Sequence, residues 1–243
     1  MITVKVPAFA VILLLSAICA LSQSVVITPK TTVYRRPKPR MDFKRTFSIR
    51  RPIAKAATPA LSKSITAAIH PDTILGIDLK EELGEGQWLE EADYKVIFNR
   101  DRLLSIQLWM TGTAAYPNSS TRYVVVDTST GRRLRPADLF TNLPGLVARI
   151  KTLQRAEIGR AIVEIKKDPG NAEIQPGQLF EYANFTTKNL DAFFVDSKGV
   201  TFVYNYGFPH VLTALQPDGE YRLSWPQLKP FIRRGGLLAR FVR

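Results

Sequence analysis

The segment 122–140, RYVVVDTSTGRRLRPADLF, decides how this sequence folds, because a strand pattern is followed at once by a turn pattern. The unbroken apolar run Val124–Val126 predicts a strand that is buried on both faces. Three oxygen-bearing side chains then surround Gly131 in the sequence, those of Asp127, Ser129 and Asp138. Such a loop either holds a metal ion or only turns the chain back along the strand.

Residue spacing favours the turn over the metal loop. An EF-type calcium loop carries glycine at its sixth position and a bidentate glutamate at its twelfth. Counted from Asp127, glycine is the fifth residue and the twelfth is Asp138, and the neighbouring arginines repel a divalent cation. A turn needs only that the Asp127 side chain bonds nearby N–H groups and that Gly131 adopts a positive φ. We therefore predict a turn and no metal site.

The rest of the sequence predicts two hairpins separated by helices. Residues 93–112 and 190–206 show period-two alternation on both sides of short polar turns. Helical spacing appears from residue 61 to a stop before Pro71, and again in a segment that begins after Asn142, with a possible break at Gly159. A short strand and helix end the chain. The fold class is predicted as α+β, with a largely antiparallel sheet of hairpins packed by helices.

Residues 1–22 have the features of a signal peptide, with a weakly basic start, a short apolar run and a small-residue cleavage site after Ser22. An uncleaved anchor is the alternative. Lipidation of Cys19 is disfavoured because Ile18 stands where a small residue is needed. Cys19 is the only cysteine, so the processed chain would have neither disulfide nor thiolate chemistry. We expect an exported protein, either periplasmic or extracellular.

Residues 23–60 form a basic, proline-rich segment that predicts a disordered tail ahead of a domain at 61–243. The tail is either a solvated spacer or an arm that binds polyanions. The second interpretation rests on eight cations: Arg35, Arg36, Lys38, Arg40, Lys44, Arg45, Arg50 and Arg51.

The sequence contains no strong catalytic motif, so we predict no catalytic residue and no cofactor. Its two histidines lack metal-site spacing, and no nucleophile elbow or phosphate loop is found. Glu90 and Asp93 are the nearest candidates for the acid pair of a wall hydrolase, which is the alternative function. The aromatic strand that leads into a proline loop predicts a recognition surface at Tyr206, Phe208 and His210.

Lys plus Arg outnumber Asp plus Glu by 34 to 21, for a net charge of +13. This excess favours acidic partners such as anionic envelope polymers. Nucleic acid is a third candidate, but it would require residence in the cytoplasm and is not expected. Membrane contact is expected only through an uncleaved signal or the basic tail.

Taken in order, four segments resemble the C-terminal extracytoplasmic domain of RsiV-type anti-sigma factors. They are YKVIFNRDRLLSIQL, VVVDTSTGRRLRPADLF, GVTFVYNYGFP and YRLSWPQLKPFI, which together span roughly residues 61–234. The resemblance implies an α+β fold outside the cytoplasm and a role in binding a protein, since the RsiV-type domain is a receptor for lysozyme. This chain lacks a sigma-binding segment, and its positive charge repels cationic lysozyme. We therefore expect a secreted or periplasmic, non-enzymatic binding domain associated with the cell envelope, with an extracytoplasmic protein or an anionic polymer as partner.

Overall fold

The computed structural model describes residues 25–242. The predicted signal peptide, residues 1–22, therefore lies outside the described residues. Within them, no helix combines the length and the apolar character that a membrane crossing requires.

Six strands form the larger sheet, in the order β1-β2-β3-β4-β5-β6. Neighbouring strands are antiparallel except β2 and β3, whose parallel pairing is limited to residues 48 and 49 of β2. The strands are β1 (Val26–Arg35), β2 (Thr46–Lys55), β3 (Leu89–Arg100), β4 (Leu103–Thr113), β5 (Pro117–Asp127) and β6 (Arg132–Arg133).

A smaller antiparallel sheet has the order β7-β8-β9, and helices cover both sheets. Its strands are β7 (Phe193–Val195), β8 (Gly199–Val203) and β9 (Glu220–Ser224). The α-helices are α1 (Pro59–Ala68), α2 (Pro71–Leu75), α3 (Leu79–Leu83), α4 (Pro136–Leu139), α5 (Leu143–Lys167), α6 (Pro176–Leu179) and α7 (Trp225–Leu228). Short 3₁₀ helices span Asp42–Lys44, Pro169–Asn171, Thr187–Asp191, His210–Leu215 and Leu237–Val242.

This architecture confirms the predicted α+β class and both predicted hairpins. The Asn142 side chain accepts a 2.9 Å hydrogen bond from the Gly145 N–H at the start of α5, as expected of an N-cap. The predicted break at Gly159 is wrong, because α5 runs without interruption from Leu143 to Lys167. Gly159 is exposed, where a glycine costs a helix only about 1 kcal/mol.

The predicted disordered tail is also wrong over the described residues, since they form the antiparallel pair β1–β2. The Arg36 N–H donates to the Arg45 carbonyl at 2.9 Å, so residues 36 and 45 are a hydrogen-bonded pair. In an antiparallel ladder every second pair is hydrogen-bonded, counted from that one. By that alternation Pro29 and Pro52 form a pair that is not hydrogen-bonded, and no ladder bond is lost. Residues 26–55 therefore belong to the folded domain and are not a tail ahead of residue 61.

Arg36 connects this hairpin to the rest of the sheet. Its side chain is fully buried. The guanidinium donates to the Leu89 carbonyl at 2.7 Å, to the Glu82 carbonyl at 2.8 Å and to the Glu82 carboxylate at 3.0 Å. It also lies 4.5 Å from the ring centroid of Phe47. Since β2 and β3 share only a short parallel ladder, these contacts are a principal connection between the hairpin and β3.

Replacing Arg36 with methionine would remove the cation from beside the Glu82 carboxylate, which would still accept from the Leu89 N–H. It would also remove the guanidinium donor from the carbonyls of Lys44, Glu82 and Leu89. We expect the free energy of unfolding to fall by about 3 kcal/mol, the usual cost of breaking a buried ion pair. Urea denaturation measures the change. Arg35→Met, the same substitution at the exposed neighbouring position, should cost less than about 0.5 kcal/mol. An equal loss in both variants would contradict the role assigned to Arg36.

The smaller sheet packs against β4 and β5. The buried Ser105 hydroxyl of β4 accepts a 3.0 Å hydrogen bond from the Val195 N–H of β7. The ring of Tyr123 on β5 lies 5.0 Å from that of Phe194. Val125 belongs to the apolar core shared with the smaller sheet, whereas Val124 and Val126 belong to the core on the other face. The prediction that this strand is buried on both faces is confirmed.

Candidate functional site

The loop after β5 is a hydrogen-bonded turn, as its sequence predicted. The Asp127 carboxylate accepts from the Ser129 N–H at 2.9 Å and from the Ser129 hydroxyl at 2.7 Å. Gly131 has a φ of +73°, and a Cβ there would collide with the Ser64 side chain. Arg102 pairs with Asp127 at 3.1 Å. The oxygens of Asp127 are therefore engaged by donors of the protein itself.

Asp138 joins the turn to the start of α4. Its carboxylate accepts two hydrogen bonds from Arg132, at 3.0 and 3.1 Å, and one from the Arg135 N–H at 2.7 Å. Burial alone raises the pKa of Asp138, but the Arg132 guanidinium and the Arg135 amide outweigh burial and hold that pKa below its usual value. Asp138 is therefore an anion whose charge Arg132 balances.

Asp138→Asn removes this charge and should change the pH dependence of stability. Because folding lowers the pKa of Asp138, its contribution is present above the unfolded value of about 3.9 and is lost as the pH falls through the folded value. Near neutral pH the variant should be less stable by about 0.5 kcal/mol, and the difference should disappear in acid. Urea denaturation at several pH values measures it. Asp42→Asn, at an exposed ion pair, is the control, and identical pH profiles for the two variants would contradict the assignment.

Three adjoining cavities follow β5 and β6, and we call them together the basic groove. The first, about 430 Å³, is lined by Arg102, Arg132, Arg233 and Arg240 among others. The middle cavity, about 860 Å³, shares Arg132 with the first and adds Arg122, Arg133 and Arg135. The third, about 820 Å³, shares Arg122 with the middle one and adds Lys188. Cavities of this size are typical of ligand sites.

Cations exceed acids in the groove, where eight basic side chains meet four aspartates. Two of the aspartates, Asp127 and Asp138, are already paired with arginines. Within residues 25–242, no carboxylate forms an ion pair with Arg122, Arg133 or Arg135. Burial lowers the pKa of Arg133, whose Nε donates to the Ala68 carbonyl. A partly desolvated cation without a counter-charge favours the approach of an anion.

The third cavity differs in chemistry from the other two. Hydroxyl and amide groups of Ser119, Ser120, Thr121, Asn189 and Asn205 line it, together with two tyrosine rings. The groove therefore combines a guanidinium-rich part with a part that offers neutral hydrogen-bonding groups.

Of the three residues predicted to form a recognition loop, only His210 is exposed. Phe208 is buried and packs against Phe180 at 5.1 Å between ring centroids. The Tyr206 hydroxyl lies 2.8 Å from Glu157 of α5 and 2.7 Å from the Tyr221 hydroxyl. Burial, with Glu157 nearby, raises the pKa of both tyrosines, so they stay neutral hydrogen-bond donors. Tyr206 and Phe208 thus anchor the loop and do not form a free recognition surface.

His210 instead stacks on Tyr116 of the β4–β5 connection, with ring centroids 4.9 Å apart. It also lines a shallow cavity of about 410 Å³ with Glu90. Burial alone raises the pKa of Glu90, but its bond to Lys44 outweighs burial and keeps that pKa below the usual value. Asp93 is held by a different cation, Arg50, at 3.3 Å. The structure therefore gives the two proposed hydrolase acids separate partners.

The cations assigned to a polyanion-binding tail are dispersed over the β1–β2 hairpin. Arg36 and Lys44 are buried, and the Lys44 ammonium donates to the carbonyls of Trp88 and Thr113. Arg45, Arg50 and Arg51 form ion pairs with aspartates. Arg35, Lys38 and Arg40 remain exposed. A flexible arm that presents all eight charges to one partner is therefore not what the structure contains.

Within residues 25–242, no group of three or more His, Cys, Asp or Glu side chains is placed to hold a metal ion.

No protein-family model matches the sequence, and no curated protein matches it. Among solved structures, a DUF3298 family protein from Pseudomonas aeruginosa is similar with a TM-score of 0.58 and 15% identity, over 90% of this chain and 98% of that one. A DUF3298 member from Bacteroides fragilis has a TM-score of 0.48 and 14% identity, over 89% and 96% of the two chains. The first likeness shows that the chain has the fold of a DUF3298 protein, a bacterial domain of unknown function.

Sequence reasoning identified the arginines of the turn but missed the groove. From the sequence alone, the charges of Arg132, Arg133 and Arg135 indicate only that the turn does not bind a metal ion. Their cluster within segment 122–140 was the available signal. The groove also needs Arg240 and Lys188, which are distant in sequence and join it only through the fold.

Proposed function

We propose that this protein is an exported, non-enzymatic binding domain of the bacterial cell envelope that takes up an anionic partner in its basic groove. The groove carries the proposal, because it gathers more cations than acids into cavities of ligand size. The apolar N-terminal run and the resemblance to RsiV-type extracytoplasmic domains support an envelope location.

Binding without catalysis agrees with how the carboxylates are used. A glycosidase requires one carboxyl group with a raised pKa as its acid. Glu90 has the opposite shift, and no second carboxylate lines its cavity within the described residues. Of the four groove aspartates, Asp127 and Asp138 are occupied by arginines, whereas Asp191 and Asp218 line the third cavity and form no ion pair among residues 25–242. These observations support a recognition surface in preference to the alternative of a wall hydrolase.

The double variant Arg122→Gln/Arg135→Gln removes two exposed groove charges that have no ion-pair partner among residues 25–242. We expect its affinity for two anionic probes, poly-L-glutamate and heparin, to fall about tenfold or more at moderate ionic strength. Fluorescence anisotropy with labelled probes measures the affinity. Added salt should weaken the wild-type complexes steeply.

Arg155→Gln/Arg160→Gln on α5 is the matched control, since it changes the net charge equally at exposed positions outside the groove. It should alter either affinity by less than about twofold. If the groove and control variants weaken binding equally, net charge alone attracts the probes and the proposed groove function is wrong.

A further inference from the structure

The edge of β5 that faces the groove is open. Antiparallel pairing makes alternate residues of a strand point their N–H and C=O groups to opposite edges. The Thr128 N–H bonds to Arg102 on the β4 side, at 2.9 Å, whereas the Val125 carbonyl accepts from Leu134 on the β6 side, at 2.8 Å. Even-numbered residues of β5 therefore bond to β4, and the odd-numbered Thr121 and Tyr123 point their backbone groups outward.

β6 covers only the end of that outer edge. It consists of two residues, which pair with Val126 and Asp127. Within residues 25–242, no strand pairs with the outer edge of β5 between Pro117 and Val124. The Thr121 carbonyl accepts only from its neighbour, the Arg122 side chain. An edge of this kind is a ready template for another strand.

The two larger cavities of the groove lie along this open edge. One is lined by residues 119–123 of β5 and the other by residues 122–125. Four exposed cations stand around it, Arg122, Arg133, Arg135 and Lys188, and they outnumber the two aspartates there that form no ion pair among residues 25–242, Asp191 and Asp218. A partner that pairs with β5 would thus place its side chains among cations, which selects acidic residues.

From this juxtaposition, and resting on the proposed function of the groove, we propose that β5 binds an extended acidic peptide segment of a partner protein as an added strand. Backbone hydrogen bonds to Thr121 and Tyr123 hold the segment, and the groove arginines select its carboxylates. The observations favour a polypeptide over an anionic glycan, because only a second peptide backbone repeats donors and acceptors at the period of a strand.

The first test uses the full chain and a blocked peptide of alternating glutamate and threonine. Two further versions of the peptide carry N-methyl groups on alternate residues, one in each phase, and keep the same charge. We expect the unmodified peptide to bind, and at least one methylated version to lose about tenfold in affinity through blocked backbone donors. A version with lysine in place of glutamate should not bind.

The second test acts on the protein. Thr121→Pro removes one outward N–H and leaves the β4–β5 ladder intact, because proline is tolerated where a strand edge is free. We expect about fivefold weaker peptide binding and unchanged heparin binding. Thr121→Val keeps the N–H and should bind the peptide like the wild type.

The outcomes separate the two proposals. If the groove arginines matter but neither methylation nor Thr121→Pro weakens binding, the groove binds charge alone and the added strand is refuted. Heparin bound far more tightly than the peptide would make a glycan the ligand and would also refute the added strand.

If Thr121→Pro instead dissociates a dimer seen by sedimentation velocity, a second copy of the chain occupies the edge and the acidic partner is refuted. If the peptide binds but is insensitive to Arg122→Gln/Arg135→Gln, the proposed function of the groove is wrong.

Discussion

The packing of the smaller sheet against β4 and β5 is the contact on which the candidate site depends. The Val195 N–H is buried and finds its acceptor in the Ser105 hydroxyl, also buried, at 3.0 Å. A buried donor that lost this partner would cost about 1–3 kcal/mol, so the bond fixes where β7 crosses β4. Tyr123 packs on Phe194 along the same line. Together these contacts position β7 beneath β5 without pairing with it, and the outer edge of β5 is left facing a groove.

Ion pairs within the protein determine which groove arginines are left without a carboxylate partner. Asp127 and Asp138 shape the turn and the start of α4, and in doing so they engage Arg102 and Arg132. Arg122, Arg133 and Arg135 are left without such partners among the described residues. The aromatic loop after β8 has a different task, because Tyr206 and Tyr221 bind Glu157 and hold that loop on α5. The residues that shape the turn and hold the aromatic loop are therefore different from those proposed to bind an anion.

The sequence predicted well where the determinants are local. Periodicity gave the two hairpins, and the Asp127–Gly131 turn followed from spacing and glycine chemistry alone. It failed for β1 and β2, because their prolines and cations are typical of disordered segments. The contacts that stabilise the hairpin are distant in sequence: its apolar side chains join a core shared with β3 and β4, and Arg36 pairs with Glu82, 46 residues away. The groove was missed for the same physical reason, since its cations come from segments that only tertiary packing brings together.

Hydrogen exchange at individual amides of β5, with and without an alternating glutamate–threonine peptide, tests whether the outer edge of β5 accepts an added strand. In the free protein, Ser120, Arg122 and Val124 should exchange slowly, because they bond to β4, while Thr121 and Tyr123 should exchange fast. We expect the peptide to slow exchange at Thr121 and Tyr123 and to change exchange little at the other three amides. Fast exchange at Thr121 and Tyr123 in the saturated complex would contradict the claim that β5 accepts a strand.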